Sequence, residues 1–366
     1  LRRRTTRAAR FVTRLNELAT YLFNLLIWSR IFTSRLNREP VTLPNQLLAT
    51  KEIYNRPPTL TIIDDSDQLN YFTVGFAEIY AVLFANLREA DLLSKYRHAV
   101  PGPAFRGVYL WDSAFIAQIW KHWDLTAAQE ILHAVIDLRD GHRLQHVVSD
   151  FSQSLFTQPP LIAWSAQELM AGRPLETKRT FYAQIYQPLI QYHHWLTKHR
   201  QLDNGLYFWE HPYESGVENA PRFSNRTESE LLDTRPLAAP DMSSYVALQL
   251  EALIEMAAVL GHESTQQALE QEHAQLTATI NHQLWDETDS LYYDRHSQTA
   301  DMTRSKTIAS LMPLWAGVPD QTQAEQLLAH IMRSDSFATL IPLPSVALDD
   351  PDFEQDMWRG PVWINT

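Results

Sequence analysis

The sequence predicts an all-α chain of paired antiparallel helices, and three observations predict it. Apolar residues recur at spacings of three and four along most of the 366 residues, the period of an amphipathic helix. Short breaks of Gly, Pro, Asp and Asn separate these stretches,. No apolar-polar alternation persists across several neighbouring strands, so an extended sheet has no source,. Helix, turn, helix, repeated, leaves a solenoid or a closed α/α toroid. The lack of a fixed repeat length weighs against the solenoid.

The elements follow in chain order. A first stripe runs through Phe11, Leu15, Leu18, Leu22, Leu25 and Leu26. Asp64-Asp65-Ser66-Asp67 reads as a turn with a helix cap rather than a calcium site,. Further stripes run through about 70–96, 113–138, 160–171, 178–200, 243–260, 264–284 and 321–333. Their punctuation is Pro101-Gly102-Pro103, Asp140-Gly141, Pro159-Pro160, Asp203-Asn204-Gly205, Gly261 and Gly317. Proline ends helical hydrogen bonding and glycine tolerates the left-handed turn that follows. Asp241 reads as the N-cap of the 243–260 helix,. His142 and His146 stand four apart, a spacing that shares a helix face, but no metal site is expected from them,.

Composition narrows the function classes. The net charge of −12 argues against a general nucleic-acid binder,. Arg2, Arg3, Arg4, Arg7 and Arg10 crowd residues 1–10, read as a solvated helix face, with a polyanion-binding arm or a targeting remnant as alternatives,. No run of 18 apolar residues marks a membrane span,. The chain has no cysteine, which excludes disulfides and thiolate metal ligands and fits a reducing, cytoplasmic location,. It carries no Gly-rich phosphate loop, no Gly-x-Ser-x-Gly and no His-Glu-x-x-His, so no cofactor is expected,.

The richest chemistry lies at 211–222, His-Pro-Tyr-Glu-Ser-Gly-Val-Glu-Asn-Ala-Pro-Arg. Glu214 and Glu218 stand four apart around a glycine, with aromatics and Arg222 beside them. A carboxyl held near aromatic rings in a cleft stays protonated to higher pH and serves as a general acid. The plain alternative is a surface loop whose acids meet solvent or pair with Arg222. Elsewhere Tyr109, Trp111, Tyr207, Phe208, Trp209, Tyr213, Trp358 and Trp363 sit in or beside loops rich in Gly, Pro, Asp and Arg. Flat rings among charged groups suit sugar recognition, and also serve to plug the ends of helical hairpins.

Five segments, in order, carry a family resemblance. Residues 105–115 read Phe-Arg-Gly-Val-Tyr-Leu-Trp-Asp-Ser-Ala-Phe and resemble a stretch of trehalases. Thr-Gln-Pro-Pro-Leu-Ile at 157–162 resembles the Gln-Pro-Pro segment of processing α-glucosidases and mannosylglycerate hydrolases. Residues 210–222 resemble their Glu-Ser-Gly-x-Asp-Asn-Ser-Pro-Arg segment. Leu-Trp-Asp-Glu-Thr-Asp-Ser-Leu-Tyr-Tyr-Asp at 284–294 resembles a hairpin of these enzymes, and Trp-Arg-Gly-Pro-Val-Trp at 358–363 their last shared motif. The chain thus resembles the trehalase-like clan, closest to glycoside hydrolase family 63 and the mannosylglycerate-hydrolase-like proteins.

That resemblance implies one (α/α)6 toroid over residues 1–366, with the active site at its mouth. It implies inverting hydrolysis of an α-glucosidic or α-mannosidic bond in a small sugar or oligosaccharide. The family's acid is an Asp, and Glu218 stands at that position, adding one methylene of about 1.5 Å,. That change admits a second reading, a catalytically silent carbohydrate-binding or scaffold relative. A sugar phosphorylase is a third. Phe105, Trp111 and Asp112 take the place of the sugar-pocket wall, with a helix N-cap as the alternative for Asp112. Gln158 corresponds to a glutamine that contacts substrate hydroxyls, with a backbone cap as its alternative. Glu214 and Arg222 flank the acid to orient it or bind a hydroxyl, and Trp358, Arg359 and Trp363 form floor and rim. The family's base is a Glu beyond the last motif, which is expected past Thr366, together with the closing helices of a chain read as a fragment. The 105–115, 211–222 and 358–363 segments are expected to converge on one concave, aromatic-lined face.

Overall fold

The structure is a computed structural model that describes residues 69–102, 104–150, 152–224, 234 and 236–363. The basic stretch at 1–10, the stripe from Phe11 and the acidic run at 64–67 lie outside the described residues.

Helical hairpins form the framework. Helix α1 spans Leu69–Asn86. Helices α2 (Leu110–Trp120) and α3 (Leu125–Asp137) make the first pair. The stripe at 113–138 is therefore two helices, because Asp124 accepts a hydrogen bond from the Ala127 amide and starts a new one,. Helices α4 (Ile162–Met170) and α5 (Leu175–Arg200) follow, then α6 (Pro240–Leu260) and α7 (Glu263–Leu284). Gly261 ends α6 with φ of 78°, a left-handed cap that turns the chain back within two residues,. Helix α8 (Gln321–Ile331) begins with a capping box between Asp320 and Gln323,.

Two layers result. Helices α2, α4 and α6 pack side by side, and α6 is buried over nearly its whole length. Helices α3, α5 and α7 lie outside them. Each outer helix buries a stripe, as with Leu269, Leu276, Ile280 and Leu284 on α7,. Glu255 of α6 ties the layers together, accepting from Gln167 of α4 and from Lys178 and Tyr182 of α5, at 2.8–2.9 Å. Helix α6 is also the one described helix long and apolar enough to cross a membrane, and its apolar residues face the protein interior.

Strands are short and sit at the ends of the helices. Strand β1 (Gly107–Tyr109) pairs antiparallel with β2 (Val147–Ser149), with Tyr109 opposite Val147. Trp285–Asp286 pairs with Leu291–Tyr292, the hairpin expected at 284–294. This pattern gathers the N-terminal ends of the inner helices at one end of the hairpin array, where β1 delivers α2 and the Pro159-Pro160 loop delivers α4.

Candidate active site at the inner-helix N-termini

A cavity of about 1220 Å³ opens at those N-terminal ends. Helix α2 supplies Trp111 and Asp112 from its first turn, and Phe115, Ile116 and Ile119 further along the same face. Positions 112, 115, 116 and 119 share one side of a helix of 3.6 residues per turn. Phe105, Tyr109, His146 and Gln158 come from the strand and loop segments, and Tyr213, Gly216 and Glu218 from the 211–224 loop. Asp241 and Tyr245 enter from α6, Trp315 from the far wall, and Trp358 and Trp363 close the ring. Segments more than two hundred residues apart in sequence therefore line one aromatic-rich face.

Two carboxyls, Asp112 and Glu218, line this space close enough to feel each other's charge. Burial pushes the Asp112 carboxyl up to about 6, and the nearby Glu218 adds to the rise, while its own amide and the Trp111 side chain hold it back,. Burial raises Glu218 as well, against its own amide and a hydrogen bond from the Trp358 side chain. Asp112 is no N-cap. Helix α2 starts at Leu110, its cap position is Tyr109, and Asp112 lies within the first turn, where the helix dipole favours a carboxylate,. The backbone amide of Trp111 is satisfied by Gln158 Oε1 at 3.3 Å. Gln158 is thus a backbone cap that also borders the cavity.

The loop bearing Glu218 is held from behind. Glu214 has no exposed surface. It accepts from Arg200 Nε at 2.9 Å and Nη2 at 2.7 Å, from the Thr157 amide at 3.1 Å and from the Glu210 amide at 3.0 Å. It does not border the cavity. Of the two sequence readings of Glu214, orienting the acid or binding a hydroxyl, the second is corrected: its four donors leave no lone pair facing the sugar, and they anchor the acid's loop to α5 and to the Gln158 segment,. Arg222 is corrected likewise. It is 1% exposed and fills the gap between Asp241 and Asp294, donating to each at 3.0 Å through Nη1. Arg359 lies off the cavity too, donating to Glu354 at 3.2 Å and to the Asn219 carbonyl at 3.4 Å. These arginines build the frame around the site.

Gly216 shows how tightly that frame closes. Its φ is 74°, and a Cβ there would meet the Trp111 ring at 2.5 Å. A side chain is excluded both by backbone conformation and by space. Trp111 therefore packs against the Glu218 loop through the gap that glycine leaves. Trp358 stacks on Trp363 at 4.4 Å and 21°. Phe105, 55% exposed, stands at the rim.

Asp241 was read as a helix cap, and the structure changes that. Helix α6 begins at Pro240 after Ala239, so Asp241 sits in its first turn and borders the cavity. Trp209 Nε1 and Arg222 Nη1 each donate to its Oδ1 at 3.0 Å. The four-residue spacing from Asp241 to Tyr245 is the sequence signal that places both on one face of α6,. His146 is another residue that local sequence did not single out as lining. It stands in the 139–150 connection rather than on a helix with His142, and burial pushes its imidazole down to about 4. Trp315 is reached only through the packing of α2, α4 and α6 against it.

Known proteins share this fold. A family model described as mannosylglycerate hydrolase MGH1-like glycoside hydrolase domain matches residues 106–366. A mannosylglycerate hydrolase of Thermus thermophilus is 28% identical over 332 residues, covering 70% of this chain and 79% of the relative. A crystal structure of a GH63 mannosylglycerate hydrolase from Thermus thermophilus in complex with glucose superposes with a TM-score of 0.69. That pair shares 25% identity, over 79% of this chain and 83% of the other. Neutral trehalase of Saccharomyces cerevisiae shares the fold at a TM-score of 0.54 and 13% identity, over 73% of this chain and 58% of its own. The architecture in common is the (α/α)6 toroid.

Proposed function

As this chain belongs to the mannosylglycerate hydrolase MGH1-like glycoside hydrolase family and is a glycoside hydrolase of that type, we propose that it cleaves an α-mannosidic or α-glucosidic bond of a small sugar with inversion. Glu218 is the general acid. The observation that carries this is the placement of its raised, partly buried carboxyl in an aromatic-lined cavity that also holds Asp112. A carboxyl that burial makes hold its proton to higher pH donates it to the leaving oxygen as the glycosidic bond breaks,. Trp111, Phe105, Trp358 and Trp363 offer faces for pyranose C–H groups, and Asp112 and the Gln158 amide offer polar contacts for hydroxyls,. The family resemblance assigns the base, which activates water on the opposite face of the sugar, to a glutamate beyond the Trp358–Trp363 motif. Mannosylglycerate belongs among the candidate substrates because a relative carries that name.

The test is Glu218→Gln, which matches the shape and cannot donate the proton. Turnover of an α-mannoside or α-glucoside of a simple alcohol is expected to fall about 100- to 10,000-fold. Proton NMR of the wild-type reaction is expected to show the β-anomer first. Unchanged turnover in the variant removes Glu218 as acid, and an α-anomer appearing first removes inversion.

A further inference from the structure

We propose that Asn219 is the positioning residue of this site: its side chain ties the loop that carries Glu218 to the loop that carries Trp358, and so fixes the acid's carboxyl against that indole. This rests on the reading of Glu218 as the acid. Asn219 follows Glu218 directly and uses both ends of its amide. Oδ1 accepts from the Trp358 backbone amide at 2.9 Å. Nδ2 donates to Asp356 Oδ2 at 3.0 Å. The two partners flank Met357, whose φ is 39°. A non-glycine residue holds that conformation only where its surroundings impose it. The Asn219 amide spans the turn and supplies that imposition. Two further bonds close the same turn. Trp363 Nε1 donates to the Met357 carbonyl at 2.9 Å, and Arg359 Nη1 donates to the Asn219 carbonyl at 3.4 Å.

The consequence falls on the Trp358 ring. Its backbone is pinned by Asn219, its face is stacked on Trp363, and its centroid lies 6.5 Å from that of Trp111. Trp111 in turn fills the space beside Gly216 on the acid's own loop. The loop bearing Glu218 thus meets two indoles, and the Asn219 side chain ties it to one of them across 139 residues of sequence. A glutamate has one more rotatable bond than the family's aspartate and loses more freedom when it is aimed. The Trp358 side chain, which favours the ionised Glu218, offsets that loss only while the indole stays in place. Asparagine suits the task because it accepts and donates in one plane. Aspartate in its place lacks the donor and faces the Asp356 carboxylate, and serine is too short to reach both partners.

The experiment exploits leaving-group demand. Asn219→Ala and Asn219→Ser are each assayed on an α-glycoside of a simple alcohol and on the matching α-glycosyl fluoride, which needs little protonation. On the alcohol glycoside kcat is expected to fall about 10- to 100-fold with KM nearly unchanged, as an angstrom-scale misplacement of a catalytic group produces. On the fluoride the rate is expected to stay within about 3-fold, since protonation by the acid contributes little there. The ratio of the two rates does not depend on how much protein is folded. Equal losses on both substrates, or no loss on either, overturn the proposal. A wild-type protein inert on both substrates takes another sugar or lacks another catalytic group, and a second measurement then decides the role of Asn219. The Glu218 carboxyl is titrated by carbon-13 NMR, its signal identified by its absence in Glu218→Gln. In Asn219→Ala it is expected to titrate at higher pH, because the bond from Trp358 that favours the ionised form is lost. An unmoved titration overturns the positioning role.

Discussion

Replacing Glu214 by Gln separates a structural anchor from a substrate contact. Glu214 is wholly buried against Arg200, which is itself 4% exposed. An amide cannot neutralise that guanidinium, so the substitution leaves a buried charge short of its partner. Removing one member of a buried pair costs about 3–5 kcal/mol. Glu210 also reaches Arg200 Nη2 at 2.5 Å, and its side chain is 42% exposed, so it takes over part of the charge and the low end applies. About 3 kcal/mol corresponds to a melting temperature lower by roughly 4 °C in a chain of this size. Urea unfolding and thermal melts measure it. Arg200→Met is expected to lose a similar amount, and the double variant to be more stable than either single one, because no unpaired charge remains. Glu214→Gln with stability within about 1 kcal/mol of wild type and a raised KM would refute the reasoning and restore Glu214 as a sugar contact.

Two further outcomes follow from the site. Asp112 holds its proton to about 6 against an ordinary value of 3.8, so its unfolded form ionises first as pH rises. Below pH 4 both forms are protonated and nothing is lost; between pH 4 and 6 stability declines, by about 3 kcal/mol in all, and then levels off. Asp112→Asn is expected to abolish that slope and to be the more stable protein at pH 7.5, and an equal change in unfolding free energy between pH 4.5 and 7.5 in both proteins, read by urea unfolding, would count against it. Gly216→Ala combines an unfavourable φ of 74° with a contact of 2.5 Å to Trp111. A loss of about 2–5 kcal/mol is expected from the two effects together, read by urea unfolding, and a neutral substitution would mean that Trp111 is free to move aside.

The helices were legible because their signals are local. Period, capping residues and turn residues act within a few positions, which is why Gly261 and the 284–294 hairpin appear where the sequence placed them. The split at Asp124 was missed because the apolar stripe continues on both sides of it. The same locality explains the site. The segments picked out by motif order bring Phe105, Trp111, Asp112, Gln158, Glu218, Trp358 and Trp363 to one cavity. Motif order did not separate Glu214, Arg222 and Arg359 from them, since charge and proximity in sequence look alike whether a group faces a cavity or a buried partner.

Sequence by itself determined the helical hairpins, the family and the segments that meet at the mouth. Tertiary structure alone decided which charged groups are spent inside the frame, and which remain free to face a sugar. The reason is that a hydrogen-bond donor for Glu214 or Asp241 arrives from Arg200, Thr157, Trp209 or Arg222, on segments that only folding brings within 3.1 Å.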